Sequence, residues 1–342
     1  MDNKAELKST INNDSDYSHE DAIKQLGYDP FKLFPKVFPP SKPTKLPPLR
    51  KINHHINIID KDKHRHMRPR PIRPSEKFLD QLRNKIIQEI QSERVYPAQD
   101  TSSCSIFMVK KYDKPNEARF LHDLVDRNAN THKDNTPIPD IPSILNTITK
   151  KPYGSKIDLT DGYHNVRIHP EDEIYTSFNT PFGTYRTRVM QQGDCNAPAT
   201  FMKLMNYIFH DMIGKNVYVY LDDILIFDKT VEEHRKTIKE VCKRLQEQEL
   251  YINRSMTMIL PKKLVVLGHI ISEQGLSAEP KKILDILAWP RPQRRKQLQA
   301  FMGMVNYLSA YAPQLATVVS PLTKLCGSTQ EWHWHHLEEE RF

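Results

Sequence analysis

Residues 217–227 read Val-Tyr-Val-Tyr-Leu-Asp-Asp-Ile-Leu-Ile-Phe. The two apolar runs in this stretch, 217–221 and 224–227, have the length and the β-branched and aromatic content of buried strands. Between them stand Asp222 and Asp223. Aspartate is depleted from strands, and a buried carboxylate without a partner is costly enough to prefer neutralisation. The pair therefore needs solvent or a compensating group. Two readings are open on these residues alone. One is a polar hairpin turn, in which aspartate is ordinary. The other is a tight turn presenting two carboxylates to divalent cations, which favour hard oxygen ligands.

At 342 residues the chain is long enough for two or more subdomains and a sizeable core. Its formal charge of +8 and pI near 9.1 point to a polyanionic partner, most simply nucleic acid. Cys104, Cys195, Cys242 and Cys326 are far apart and form no Cys-x-x-Cys pair, so they indicate neither a zinc site nor a disulfide framework and predict a reducing compartment. The polar amino terminus lacks a signal peptide's apolar stretch, and no run of about 18 apolar residues is present to span a membrane. An intracellular chain is the expectation, with secretory and membrane routes set aside.

Residues 1–29 are polar, with Asn12, Asn13, Asp14, Ser15 and Asp16 in a row, and predict a disordered tail. Residues 30–75 hold ten of the 25 prolines and a marked excess of Lys and Arg. They predict an extended basic arm, neither regular helix nor central strand. Over 76–94, Phe78, Leu79, Leu82, Ile86, Ile87 and Ile90 recur at helical spacing, and Pro97 is the expected stop. Strands are predicted at 105–109, 155–158, 174–178 and 184–190, and as one interrupted strand at 264–271. Amphipathic helices are predicted from Ala197 and, behind a Thr230/Glu233 capping box, from 231 onward. Helices dominate after Gly275, which suggests a subdomain boundary there.

Five motifs stand in order along the chain. They are Leu-Pro-Pro-Leu-Arg-Lys-Ile-Asn-His-His-Ile at 46–56, Lys-Ile-Asp-Leu-Thr-Asp-Gly-Tyr-His at 156–164, Gln-Gln-Gly-Asp-Cys-Asn-Ala-Pro-Ala-Thr-Phe at 191–201, Tyr-Leu-Asp-Asp at 220–223 and Leu-Gly-His at 267–269. In this order and spacing they resemble the reverse transcriptases of gypsy-class (Metaviridae-like) long-terminal-repeat retrotransposons, over roughly residues 31–342. The resemblance implies an α+β right-hand polymerase fold. Fingers and palm would span 76–275 and a helical thumb 276–326, with 327–342 beginning a connector toward a ribonuclease H domain. It implies an RNA-directed DNA polymerase whose metal-binding catalytic residues are Asp158, Asp222 and Asp223, with Asp158 and Asp222 holding the metals most directly. Two Mg2+ ions, or Mn2+ in their place, would serve phosphoryl transfer. Clustered carboxylates repel one another unless cations neutralise them, which agrees with that reading.

The same resemblance makes Tyr163 an aromatic gate against ribose 2′-hydroxyls, and assigns Lys111 and Arg119 to the incoming triphosphate. Gln192 and Gly193 would shape the nucleotide pocket, and Leu267, Gly268 and His269 the primer grip. The implied partners are an RNA template, a DNA primer, their RNA/DNA hybrid and deoxynucleoside triphosphates. The implied setting is an intracellular particle in the cytoplasm or the nucleus. Two departures stand out: Val125 replaces an expected Arg, and Asn253-Arg254-Ser255-Met256 replaces a turn that carries Lys. A catalytically impaired nucleic-acid-binding remnant is therefore the alternative. With neither a protease triplet before residue 31 nor a ribonuclease H segment by Phe342, a polymerase module or truncated reading frame is expected.

Overall fold

The structure, a computed structural model, describes residues 17–41, 44–69, 76–110, 116–137, 139–272, 274–327 and 331–342. The chain divides between Leu260 and Pro261 into a larger unit of residues 22–260 and a smaller one built from 261–342 and the amino-terminal stretch up to Asp21. The division falls before the expected Gly275. Strand β10 (Lys263–Val266) pairs with β11 (His269–Ser272), which in turn pairs with β12 (Gly275–Ala278). A cut at Gly275 would split a hydrogen-bonded sheet.

Among the described residues, the larger unit contains two sheets. One has the order β1-β6-β5-β2-β3, from β1 (Val95–Pro97), β2 (Cys104–Lys110), β3 (Ala118–His122), β5 (Phe178–Thr180) and β6 (Gly183–Thr187). The other has the order β7-β8-β4-β9, from β4 (Tyr153–Asp158), β7 (Val217–Tyr220), β8 (Asp223–Asp228) and β9 (Met258–Ile259), all paired antiparallel. Every residue of β8 after Asp223 is buried, which explains its unbroken apolar run: a strand covered on both faces has no solvent side on which to alternate. Gly154 faces Phe227 across the β4–β8 register, and a Cβ there would stand 2.4 Å from the Phe227 ring. No side chain fits at that crossing.

Helix α1 (Glu76–Gln91) buries Phe78, Leu82 and Ile86, and the last two share a core with Val95, Cys104, Ile106, Leu124 and Phe178. The stripe is narrower than its periodicity predicts, since Ile87 and Ile90 are exposed. The helix also ends earlier than Pro97, through Glu93 at φ 58°, and Pro97 is left to close β1. Helix α2 (Ala197–Ile208) buries Phe201, Met202, Leu204, Met205 and Ile208. Helix α3 (Val231–Glu247) starts where the Thr230 side chain accepts from the Glu233 amide.

Several expected segments differ. The 174–178 strand is largely a 3₁₀ turn, Pro170–Thr176, because Pro170 presets the first turn and contributes no amide to a ladder. The 264–271 strand is a hairpin turning at Leu267 and Gly268, both at positive φ. The basic arm contains two helical turns, Pro30–Leu33 and Lys61–Arg65, capped by Asp29 and Asp60. Between them it is a strap built into the larger unit, with Val37, Phe38, His54 and Ile56 buried. Part of the expected tail is a helix, His19–Leu26, with Ala22 and Leu26 buried. Residues 1–16, 42–43 and 70–75, which complete those two expectations, lie outside the described residues.

In the smaller unit, helix α4 (Pro280–Leu287) precedes helix α5 (Arg295–Tyr307). Leu298, Phe301, Met302 and Val305 of α5 form a core with Val319, Leu322 and Leu325, against which Trp332, Trp334 and Phe342 pack.

Candidate active site

Tyr220 pairs with Asp223, so Leu221 and Asp222 form a two-residue loop between β7 and β8. Leu221 sits at φ 53°, the left-handed conformation that primed hairpin turns require and that glycine usually supplies. For a bulky residue this is a strained position, of the kind that concentrates at functional sites. Asp223 opens β8 directly opposite Asp158, the last residue of β4. Backbone pairing thus carries three carboxylates to one sheet end.

Their surroundings differ. The Lys156 ammonium lies 2.8 and 2.9 Å from the two oxygens of Asp223. Lys156 precedes Asp158 by two positions and so shares its face of β4. Among the described residues, neither Asp158 nor Asp222 forms an ion pair. Burial, then the charge of Asp223, raises the Asp158 carboxyl above its ordinary range, against the pull of Lys156 and a hydrogen bond from Asn253. Asp222 is exposed as a residue, yet the protein around its carboxyl withholds enough water to raise it, and Asp223 and Asp158 raise it further. Tyr163 opposes that rise through a hydrogen bond to Asp222, while burial and Asp222 push the Tyr163 phenol to about 12. Asp158 and Asp222 are hard oxygen donors under mutual repulsion, the condition a divalent cation relieves.

The three aspartates do not close into one ligand set. Among the described residues, the group whose ligand atoms all lie within 4.8 Å of one another is instead His55, His169 and Asp172. Repulsion keeps the carboxylates apart, and Lys156 draws Asp223 to itself.

Tyr163 stands in a 3₁₀ turn, Gly162–Asn165, edge-on to Phe201 at 5.5 Å. Gly162 permits this approach, because a Cβ there would be 3.3 Å from the Phe201 ring and 3.7 Å from Asp222 Oδ1. Gln192 is exposed, and the carbonyl of Gly193, at φ 93°, accepts from Asn128 Nδ2 at 2.8 Å. Arg119 is exposed on β3, in the five-stranded sheet rather than the carboxylate sheet. Lys111 lies outside the described residues. Leu267 and Gly268 form the β10–β11 turn, but His269 faces inward. It is 4 % exposed, stacks on Tyr307 and bonds Tyr311 at 2.6 Å, so it shapes the turn from beneath.

Sequence reading passed over Lys156 and Asn253. Lys156 was visible as the same-face neighbour of Asp158, whereas Asn253 reaches Asp158 only through the fold. A buried network was missed too. Asp194 lies 3.2 Å from His54 Nε2 and 2.6 Å from Arg127 Nη2, and His54 Nδ1 is 2.8 Å from Thr200 Oγ1. Burial alone would raise the Asp194 carboxyl, but the neighbouring His54 and Arg127, the latter donating to it, hold it down at about 2. This network joins the 46–56 and 191–201 motifs.

Residues 109–271 match the family model described as reverse transcriptase (RNA-dependent DNA polymerase). The retrovirus-related Pol polyprotein from transposon opus of Drosophila melanogaster is 32 % identical over 248 residues, which cover 72 % of this chain and 25 % of that protein. The transposon Tf2-3 polyprotein of Schizosaccharomyces pombe is 28 % identical over 307 residues, 90 % of this chain and 23 % of that one. The chain thus spans about a quarter of the length of these relatives. The foamy viral protease-reverse transcriptase in complex with dsDNA superimposes with a TM-score of 0.80 at 21 % identity, covering 98 % of this chain and 70 % of that one. Its complex with an RNA/DNA hybrid gives 0.76 at 22 % identity, covering 98 % and 45 %. With the sheet-end carboxylates and the mixed α/β fold of these polymerases in place, residues 109–271 are a reverse transcriptase domain of the kind carried by retrotransposon Pol polyproteins.

Proposed function

We propose that this chain is an RNA-directed DNA polymerase module that adds deoxynucleotides to a primed RNA or DNA template. One observation carries the reading: inside a reverse transcriptase domain, the β7–β8 hairpin sets Asp222 and Asp223 beside Asp158 at a strand end, and two of the three lack a cation. The donor set fits divalent metal, which the family implies, and we take it to be two Mg2+ ions, with Mn2+ able to replace them. Asp158 and Asp222 would hold them, with Asp223 retained by Lys156. When bound, such ions acidify the attacking hydroxyl and neutralise charge on the transferring phosphate.

The remaining roles belong to the chain's own side chains. Tyr163, anchored by Phe201 and Asp222, presents a ring that a ribose 2′-hydroxyl would strike. Arg119 and Lys111 supply positive charge for a triphosphate, for which a forked guanidinium is well shaped. Gln192 and Gly193 border the base, and the left-handed turn at Leu267 and Gly268 lets backbone approach a primer strand. Fingers and palm would then occupy 22–260, the thumb 261–326 and a connector 327–342. A net charge of +8 predicts binding dominated by the phosphate backbone and weakened by salt. Among the described residues, no helix is long and apolar enough to cross a membrane, and an intracellular setting completes the proposal.

Primer extension on an RNA template with Mg2+ tests it, comparing the chain with Asp222→Asn. Extension that falls by at least about 100-fold in the variant is the expected result; equal extension by both would remove Asp222 from the site. A second reading, a binding remnant with impaired catalysis, rests on Val125 and Met256, which are 60 % and 59 % exposed where basic residues would be expected. Salt-sensitive hybrid binding without extension would favour it.

A further inference from the structure

The strap that runs from the basic arm into the larger unit pairs with the loop after Tyr163. The His54 amide donates to the Arg167 carbonyl at 2.8 Å, and the His169 amide donates to the His54 carbonyl at 2.8 Å. This pairing sets His55 and His169 side by side, with ring centroids 4.4 Å apart. Asp172 completes the group. Its Oδ2 lies 3.0 Å from His55 Nδ1 and also accepts from the Ile56 amide at 3.2 Å. One ligand atom from each of the three side chains falls within 4.8 Å of the others, and His169 Nδ1 is buried with no hydrogen-bond partner.

We propose that His55, His169 and Asp172 form a transition-metal site, separate from the carboxylates of the sheet end and suited to Zn2+. Two imidazoles and one carboxylate are a donor set that zinc takes with a fourth position open, whereas Mg2+ prefers oxygen alone. Coordination through His55 Nδ1 replaces the contact that this atom makes with Asp172 Oδ2, the neutral ring carrying its proton on Nε2. Ligand atoms about 2.0–2.2 Å from a tetrahedral ion lie roughly 3.3–3.6 Å apart. The His55–Asp172 pair, at 3.0 Å, is a few tenths of an ångström inside that spacing, and the other separations, all within 4.8 Å, lie close to it. Both histidines border a cavity of about 720 Å³, together with Lys51, Lys133 and Lys203. The ion would pin the strap to the 166–172 loop and hold a water, or an anion, on that cavity's wall.

Calorimetric titration of the chelator-stripped full chain with Zn2+, together with the visible spectrum of its Co2+ form, tests the site. The expected result is one ion per chain that His55→Gln and His169→Gln each weaken by at least about tenfold, the least that perturbing even an outer partner of a metal site costs. Asp222→Asn should leave zinc binding unchanged. Because the His55 side chain is 54 % exposed, its replacement leaves the core intact, and an unaltered circular dichroism spectrum verifies this. Equal zinc uptake by the chain and by a His55→Gln/His169→Gln double variant, or no stoichiometric uptake at all, would overturn the assignment. Loss of zinc binding in Asp222→Asn would instead locate the ion at the polymerase carboxylates.

Discussion

Lys156 divides the work among three carboxylates that the chain brings to one place. By holding Asp223 it leaves Asp158 and Asp222 as the uncompensated pair, so two neighbouring aspartates in the sequence have unlike surroundings. Asp194 shows the opposite arrangement, a buried carboxylate over-supplied with partners. Its folded pKa of about 2 lies below the ordinary aspartate value near 4, so its contribution is fully present above about pH 4 and is lost as pH falls toward 2. The expected size is about 2 kcal/mol. Urea unfolding across pH 2–7 should show an acid limb in the parent. Asp194→Asn should be less stable at pH 7 but should flatten that limb, and an unchanged limb would sink the account.

Among the elements, β4, β8 and α3 meet through side chains with the connectivity of a hydrolytic triad. Ser155 Oγ lies 2.7 Å from His234 Nε2, and His234 Nδ1 lies 2.8 Å from Asp228 Oδ2. Ser155 and His234 are 0 % exposed and Asp228 is 1 % exposed, so no substrate reaches them. The network binds helix to sheet instead. Asp228 also accepts from Thr237 Oγ1, and Ser155 Oγ accepts from the Leu260 amide. Removing the ring takes one partner from each of two buried polar groups, Ser155 Oγ and Asp228 Oδ2, so His234→Ala should cost about 3 kcal/mol. Thermal or urea unfolding reads this directly, and a cost below about 1 kcal/mol would show that the network contributes little.

At the scale of the whole molecule, two units carry separate cores. The smaller one has its own three-stranded sheet and a helical cluster around Phe301 and Leu322. Residues 261–342 expressed alone should therefore give a helical far-ultraviolet spectrum and a cooperative melt. A chain that stays unfolded by both measures would show that this segment depends on residues that precede it.

The order of the motifs, the buried β7 and β8 strands and the three aspartates were legible in the residues, because local composition and spacing dictate a strand-turn-strand with acids at its tip. The family resemblance then brought Asp158 to the pair. What the sequence left open was decided by contacts between distant segments. Lys156 was in plain view, but its choice of Asp223 over Asp158 depends on the β4–β8 register. Asn253 reaches Asp158, and His54 reaches Asp194, only once loops far apart in the chain have folded together. The subdomain boundary moved to Leu260 because strand pairing, which is non-local, outweighs a change in composition. The inward turn of His269, and the meeting of His55, His169 and Asp172, have the same origin: side-chain direction follows the backbone pairing of segments that the sequence lists far apart.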